Sequence, residues 1–434
     1  KADPRSRCNV GSDAGGREGA AQRGEVWVKR AARLVLAGLG AGLAVVAVAG
    51  LALLVWMSRR EPPPSFASDG EFFKYGAVSR DRGFPLYVWE AMTEVFEDTL
   101  PPGGLAGFGF VFEEGRSLPV GMALTTYGFP GLTPNCAICH AGRVKDATTG
   151  REELVLGGRA AQFDFDGFED WAMACGEDPR FSAAELMPVI ERRHELGLWE
   201  RMVYRWAIIP AVRLKLGQQR ETDAWRERRP PAGPGRTDAF GRLKFAFFGL
   251  PDDGSISTAV ALPLWLQQAH AAAGVRTHWN GGGEDVGRAN LLSALTLGGK
   301  PSAVDLGAVA RLTNFRATLR PAPYPFAIDP ALAETGRALF ARHCGECHGE
   351  GGARTGGVVP QAEVGTDALF VAMWTPAFVD ALKGYDRPPF VFPGLRASDG
   401  YVARPLEGIW ACAPFLHNGS VPSLADLLEP ASAR

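Results

Sequence analysis

The sequence feature that most constrains this chain is a five-residue pattern that occurs once in each half. It reads Cys136-Ala137-Ile138-Cys139-His140 and, later, Cys344-Gly345-Glu346-Cys347-His348. Only seven of the 434 residues are cysteine, so this close pairing does not follow from composition. Two thiols three positions apart on a helical turn can each form a thioether bond to a porphyrin vinyl group, and the adjacent histidine can ligate the iron. The pattern therefore predicts two covalently bound haem c groups, with His140 and His348 as axial ligands.

Two other uses of paired cysteines are less consistent with the sequence. The cysteine pairs of a zinc site normally lie about 15–20 residues apart, whereas these pairs are separated by roughly 200 residues. A thioredoxin-like redox pair accounts neither for the histidine nor for the duplication. Haem attachment is the interpretation that explains the wide separation of the two pairs, the histidine and the duplication.

A second strong feature is the apolar stretch at residues 34–57. It exceeds the roughly 20 residues that a helix needs to cross a bilayer, and it predicts a transmembrane helix. Basic residues precede it, so the positive-inside rule places residues 1–33, with a free thiol at Cys8, in the cytoplasm. Residues 58–70 form a proline-containing linker to the soluble part. A cleaved signal peptide is the alternative, because Ala47-Val48-Ala49 resembles a processing site.

This orientation predicts a single-pass protein of the inner membrane whose soluble part faces the periplasm. Thioether attachment takes place outside the bacterial cytoplasm, so both motifs lie on the appropriate side. The formal net charge of -2 gives no basic surface for nucleic acid, and no nucleic-acid partner is predicted.

The fold class predicted for the soluble part is mainly α, with two cytochrome c-like helical domains and long loops. The first domain, residues 71–327, carries the first motif and a helical insertion. In that insertion, residues 183–193 and 199–216 have helical patterns, broken by Pro188 and Pro210.

The second domain is predicted at residues 328–434. Asp329-Pro330 has the residue types that begin a helix, and this helix leads directly into the second motif. Its hydrophobic period places Leu332, Leu339 and Phe340 on an inner face.

The sixth ligand of each iron decides between electron transfer and small-molecule chemistry. For the second iron we expect His417, which lies in a turn-forming segment, while Met373 is the competitor and its apolar surroundings favour core packing. For the first iron, Met122, His278 and no protein ligand all remain open. Cys175 and Cys412 could form a disulfide in this compartment.

Beyond the motifs, the chain from about residue 75 onward resembles the RoxA-like di-haem c-type cytochromes. This group includes the rubber oxygenases and is distantly similar to the di-haem cytochrome c peroxidases. The matching segments are Gly83 to Trp89, Leu118 to Gly121, Asn135, Pro263 to Trp265, His278 to Gly281, Val364 to Asp367, Gly408 to Trp410 and His417 to Val421.

The resemblance implies that His348 and His417 both ligate the second haem. It also implies that His140 is the one protein ligand of the first haem, with Trp279 on the distal side where dioxygen or peroxide binds. The polar, glycine-rich loop that begins at His278 is of the type that lines a site, so His278 is assigned to the same distal pocket. Asn280 stands where the family usually has aspartate, and this chain is shorter than the rubber oxygenases and anchored where they are secreted.

The predicted function is electron transfer coupled to peroxide or dioxygen chemistry at the first haem, a peroxidase- or oxygenase-like oxidoreductase. Its predicted partner is an electron-transfer protein or a respiratory complex. The alternative is a pure electron carrier with both haems six-coordinate, serving such a complex. A haem-based sensor that signals through the membrane helix is a third, less favoured class.

Overall fold

The structure is a computed structural model that describes residues 14–145, 149–283, 285–296 and 299–433. The chain divides into two compact units, the first ending at Arg59 and the second running from Arg60 to Arg434. Cys8 lies outside the described residues.

The first unit is dominated by one long helix, α1, Ala14–Ser58. Within it, Arg33–Ser58 has a mean hydropathy of 2.4, and it is long and apolar enough to cross a membrane. The predicted span at residues 34–57 falls inside this range. By length and composition this helix is a hint of a membrane anchor or of a signal sequence, while its orientation stays a prediction.

The second unit carries both motifs, and its helices are short. Before residue 328 they are α2 Asp69–Tyr75, α3 Leu86–Val95, α4 Ala137–His140, α5 Phe165–Glu177, α6 Ala183–Arg193, α7 Leu198–Val203, α8 Ile209–Asp223, α9 Ala239–Gly241, α10 Gln267–Ala272, α11 Val286–Thr296 and α12 Leu306–Thr318. After it they are α13 Pro330–His343, α14 Gly345–His348, α15 Gln361–Val364, α16 Leu369–Ala372, α17 Pro376–Gly384 and α18 Leu424–Leu428. Two π-helical turns, Tyr204–Ile208 and Arg242–Phe247, follow α7 and α9.

Small antiparallel sheets hold the loops between these helices. The strands are β1 Phe84–Pro85, β2 Met122–Thr126, β3 Pro130–Pro134, β4 Ala141–Lys145, β5 Glu152–Leu156, β6 Arg236–Thr237, β7 Ala259–Val260, β8 Val358–Pro360 and β9 Gly400–Val402. They pair in the order β1-β3-β2, and as β4-β5, β6-β7 and β8-β9. About half of the chain is helical, so the mainly α prediction holds only in part.

The helical insertion agrees with its sequence pattern except at the prolines. The helix predicted at residues 183–193 is α6, and it continues through Pro188 instead of breaking there. Pro188 and Ala184 are both exposed, so the carbonyl group that loses its helical partner can face water. Pro210 also lies inside a continuous helical run, because α7, the π-helical turn Tyr204–Ile208 and α8 follow one another without a gap, so the predicted break there is wrong as well.

The predicted start of α13 is confirmed, but the predicted inner face is wrong. The Asp329 carboxylate accepts hydrogen bonds from the N–H groups of Ala331 and Leu332, so the helix begins as expected. However, Leu332, Leu339 and Phe340 are 71%, 53% and 37% exposed. The hydrophobic period identifies residues that share a face but does not show what covers that face.

Two hydrophobic clusters contain residues from both sides of residue 328. One joins Leu243 and Leu292 to Phe378 and Leu382, and Met373 packs in it, as expected for core packing. The other joins Val155 and Trp265 to Cys412, Phe415 and Val421. The domain boundary near residue 328 stays a prediction, since the two halves are packed together in these clusters.

Replacing Phe378 by alanine should lower the free energy of unfolding by about 3–5 kcal/mol, because it removes a fully buried ring from the shared cluster. Chemical denaturation followed by circular dichroism measures this change. Phe326→Ala is the matched control, since Phe326 is 37% exposed. An equal loss in both variants would contradict the shared core.

Candidate functional site

The first motif forms a single helical turn held by a buried asparagine. Asn135 is fully buried, and its side-chain oxygen accepts a hydrogen bond from the Ala137 N–H at 2.9 Å. Its amide nitrogen donates to the Gly76 carbonyl at 2.9 Å. The side chain therefore caps α4 and ties the motif to the end of α2.

A close backbone approach fixes the other side of this turn. Gly121 has φ +92°, and a Cβ atom added there would lie 2.3 Å from the Ile138 nitrogen. Only glycine combines this conformation with this spacing. The Gly121 carbonyl also accepts a hydrogen bond from the Asn135 N–H, so the turn has a single position relative to β2.

Cys136, Cys139 and His140 open onto a cavity of about 260 Å³. Its wall is built largely from residues 237–296, which include β7, α10 and α11. Polar and charged groups on the wall include Asn135, Arg242, Gln267, His270, Asn290, Arg316 and Arg404. Among the described lining residues there is no aspartate or glutamate.

His140 is suited to bind a metal. Burial lowers the pKa of its imidazole to about 3, with the nearby Arg316 cation contributing, so the ring is neutral at physiological pH. Its Nδ1 atom is buried without a hydrogen-bond partner in the described part of the chain. A buried, neutral imidazole beside two thiols fits the donor set of a haem c site.

The structure places both predicted distal residues on the wall of this cavity. His278 has φ +61°, a strained conformation for a residue with a side chain, and burial lowers its pKa to about 4. Its ring packs against Phe240 and Trp374, with ring centres 5.2 and 5.9 Å away. Met122, the other candidate ligand, packs in a hydrophobic cluster with Ile138 and is not a lining residue.

Trp279 connects the cavity to the environment of His417. Its Nε1 donates a hydrogen bond to the Val260 carbonyl at 2.9 Å, and the Val260 N–H donates to the His417 carbonyl at 2.9 Å. The ring centres of Trp279 and His417 are 6.5 Å apart. The guanidinium carbons of Arg159 and Arg404 lie 5.7 and 5.9 Å from the Trp279 ring centre.

The second motif follows directly from α13, and one ring nitrogen of its histidine is hydrogen-bonded to a backbone carbonyl. The Nδ1 atom of His348 lies 2.7 Å from the Arg404 carbonyl oxygen. A carbonyl can only accept, so Nδ1 carries the proton and Nε2 is left for a metal. This arrangement is typical of histidine ligands, whose second nitrogen is held by a carbonyl or carboxylate.

His417 is 3% exposed and hydrogen-bonded. Its Nε2 lies 3.1 Å from an Asp367 carboxylate oxygen and 3.2 Å from the Tyr401 hydroxyl. Burial lowers its pKa, although Asp367 acts in the opposite direction. Among the described contacts, none joins His417 to His348, so its role as a second ligand stays a prediction.

The cysteines outside the motifs do not form the disulfide considered above. Cys175 and Cys412 are both buried free thiols. Across the described residues, no group of three or more His, Cys, Asp or Glu side chains is placed to hold a bare metal ion. A haem supplies four ligands of its own, so one or two histidines are sufficient.

A charged cluster adjoins the cavity at Arg242. Its guanidinium lies 2.8 Å from Asp166 and 2.5 Å from Glu169, and Asp223 is 3.5 Å away. Burial raises the pKa of the Glu169 carboxyl to about 7, and the neighbouring carboxylates add to this while Arg242 opposes it. Glu169 is therefore partly protonated near neutral pH.

The residues that sequence reasoning missed are the arginines of the wall, above all Arg316 and Arg404. For Arg404 the sequence gives no sign of burial. Arg316 does lie four positions after the apolar Leu312 in α12, so the helical period was the only available signal.

Comparison with known proteins gives a family match at the C-terminal end of the chain. Residues 400–434 match the family described as RoxA-like, cytochrome c-like. The C-terminal end is thus similar to a cytochrome c-like domain of this family, which confirms the predicted resemblance there. For the rest of the chain, and for the di-haem peroxidases, the resemblance stays a prediction.

Two relatives are similar to parts of the chain. It is 32% identical over 233 residues to uncharacterized protein y4iM of Sinorhizobium fredii (strain NBRC 101917 / NGR234), which covers 48% of this chain and 52% of that protein. It is 61% identical over 41 residues to uncharacterized protein y4iJ of the same strain, covering 9% and 7%. The chain thus spans about half the length of the first relative.

Glu169 should make the stability depend on pH. Between pH 4.5 and about 7 the folded chain keeps a proton on Glu169 that the unfolded chain has lost, so stability falls as pH rises through this window. Each pKa unit corresponds to about 1.4 kcal/mol, so the total is about 3 kcal/mol. Glu169→Gln should abolish this component, as measured by urea unfolding from pH 4 to 8.

The exposed Glu195→Gln variant is the control for loss of a carboxylate at the surface. If Glu169→Gln and wild type lose stability in parallel across this window, Glu169 is not the group responsible.

Proposed function

We propose that this protein is a membrane-anchored di-haem c-type cytochrome that couples electron transfer to peroxide or dioxygen chemistry at its first haem. The observation that carries the proposal is the cavity at the first motif. Cys136, Cys139 and His140 line it together with His278 and Trp279. A ligand pocket with buried polar groups suits binding of a small molecule beside the iron.

Each haem would be held by one motif. Cys136 and Cys139 would carry the first haem, with His140 as axial ligand, and Cys344 and Cys347 would carry the second, with His348. When bound, haem iron supplies redox change and an exchangeable coordination position. His417 would be the second ligand of the second haem. In the structure its Nε2 is bonded to Asp367 and Tyr401, so ligation would use Nδ1 or exchange these bonds.

The residues of the chain supply position and environment. The Arg404 carbonyl orients the His348 ring, and the rings of Phe240 and Trp374 hold His278 beside the cavity. Trp279 touches both the first cavity and His417, so it lies where electrons would pass between the two sites. The helix α1 would anchor the protein in the inner membrane with both haems in the periplasm, near an electron-transfer protein or a respiratory complex.

A pure electron carrier is the second candidate, and one observation favours it. His278 lines the same cavity as His140 and is kept neutral by burial, so it could fill the sixth position of the first iron. With both irons six-coordinate, no site would remain for peroxide or dioxygen.

Haem content tests the assignment of the motifs. Wild type should carry two haems per chain by intact mass and pyridine haemochrome assay. Cys136→Ala/Cys139→Ala and Cys344→Ala/Cys347→Ala should each carry one, because each pair forms the thioether bonds of one haem. Cys175→Ala/Cys412→Ala is the matched control and should retain two. Two haems in either motif variant would exclude that motif as an attachment site.

Electron paramagnetic resonance of the oxidised protein tests which candidate function is correct. We expect one haem signal that changes on addition of cyanide or peroxide and a second, low-spin signal that is lost in His417→Ala. If His278 is instead the sixth ligand, wild type would show two low-spin signals indifferent to added ligand, and His278→Ala would create a high-spin one. That outcome would establish the electron carrier.

A further inference from the structure

Two arginines on the wall of the first cavity have no acidic partner among the residues that the structure describes. Arg316 is 5% exposed, and its Nε atom is buried without a hydrogen-bond partner in the described part of the chain. Arg316 lies in α12, and its positive charge contributes to the lowered pKa of the His140 imidazole.

Arg404 is the second of these groups. Its Nη2 donates hydrogen bonds to the carbonyls of Arg276 at 3.0 Å and His278 at 2.6 Å. Its Nε is buried without a partner among the described residues, and burial lowers its pKa to about 10. Carbonyl oxygens orient a guanidinium but do not neutralise its charge.

Two other arginines with little side-chain exposure are paired with carboxylates, whereas the buried Arg159 donates hydrogen bonds to the carbonyls of Ala261, Cys412 and Pro414. Arg242, on the same cavity, lies against Asp166 and Glu169, and Arg229 binds Asp252 through both of its terminal nitrogens. Burying an unpaired charge is costly, so buried charges are normally paired. Arg316 and Arg404 differ from Arg159, because each has a buried Nε atom without a partner among the described residues, and an anion would supply both an acceptor and negative charge.

We propose that Arg316 and Arg404 bind the propionate carboxylates of the haem attached at Cys136 and Cys139. This inference rests on the proposed function, because it requires a haem at the first motif. A planar guanidinium is well matched to a carboxylate, which it can bind through two parallel hydrogen bonds. The two cations also offset the propionate charge beside the iron, and this favours the reduced, less positive iron.

The test is a potentiometric titration of the full-length protein in detergent, with absorbance reporting both haems. In Arg316→Gln and Arg404→Gln, the ratio of oxidised to reduced first haem at a fixed potential should rise at least tenfold, a fall of about 59 mV for one electron. Arg316→Lys keeps the cation and should stay nearer to wild type. Arg229→Gln is the matched control, a buried arginine away from the cavity, and should leave both potentials unchanged.

The outcomes separate this inference from the proposed function. If the proposed function is wrong, the number of haems per chain will be the same in wild type and in Cys136→Ala/Cys139→Ala. With the first haem present, unchanged potentials in the two glutamine variants would overturn the arginine assignment alone. If one variant does not accumulate, the other decides, since the two arginines lie on different elements.

A free anion in place of the propionates is distinguished by the same titration. If added phosphate or acetate shifts the wild-type potential in a concentration-dependent way, and the glutamine variants lose that response, the arginines bind a free anion and the propionate assignment is wrong. Independence of added anion supports it.

Discussion

The arrangement of both sites depends on two hydrogen bonds of the Val260 backbone. Its N–H donates to the His417 carbonyl and its carbonyl accepts from Trp279, while its own side chain is buried in the cavity wall. The pairing of β7 with β6 fixes the Val260 backbone, and Val260 in turn positions Trp279 and His417. Arg404 adds a second link, since its carbonyl orients His348 while its guanidinium lines the first cavity.

These links explain why the two motifs, separated by about half of the sequence, share one compact unit. The hydrophobic clusters around Phe378 and Trp265 join segments from both sides of residue 328, but burial of apolar surface is not directional. The hydrogen bonds of Val260 and Arg404 then set the relative position of the rings that the clusters alone would leave undefined. Short strands and tight turns, as at Gly121, suit a chain whose loops must converge on one cavity.

Much of this could be predicted from sequence, wherever the signal was local. The motif spacing predicted the helical turn at Cys136, the Asp329 cap predicted the start of α13, and the apolar run predicted a helix at residues 34–57. Non-local features were not predictable. The pairing of β1 with β3 joins Phe84 to Leu132, and the exposure of Leu332 depends on what packs nearby. The arginines of the wall fall in the same category.

The pairing of β9 with β8 has a consequence for the segment that matches the RoxA-like family. That segment begins at Gly400, the first residue of β9, whereas the partner strand ends at Pro360. His417 likewise depends on Asp367 and Val260, both outside the match. Excised as a peptide, residues 400–434 would leave a strand edge unpaired and a histidine exposed. The shared segment is therefore not a transferable module, and a protein that acquired it would also need the surroundings that fold it.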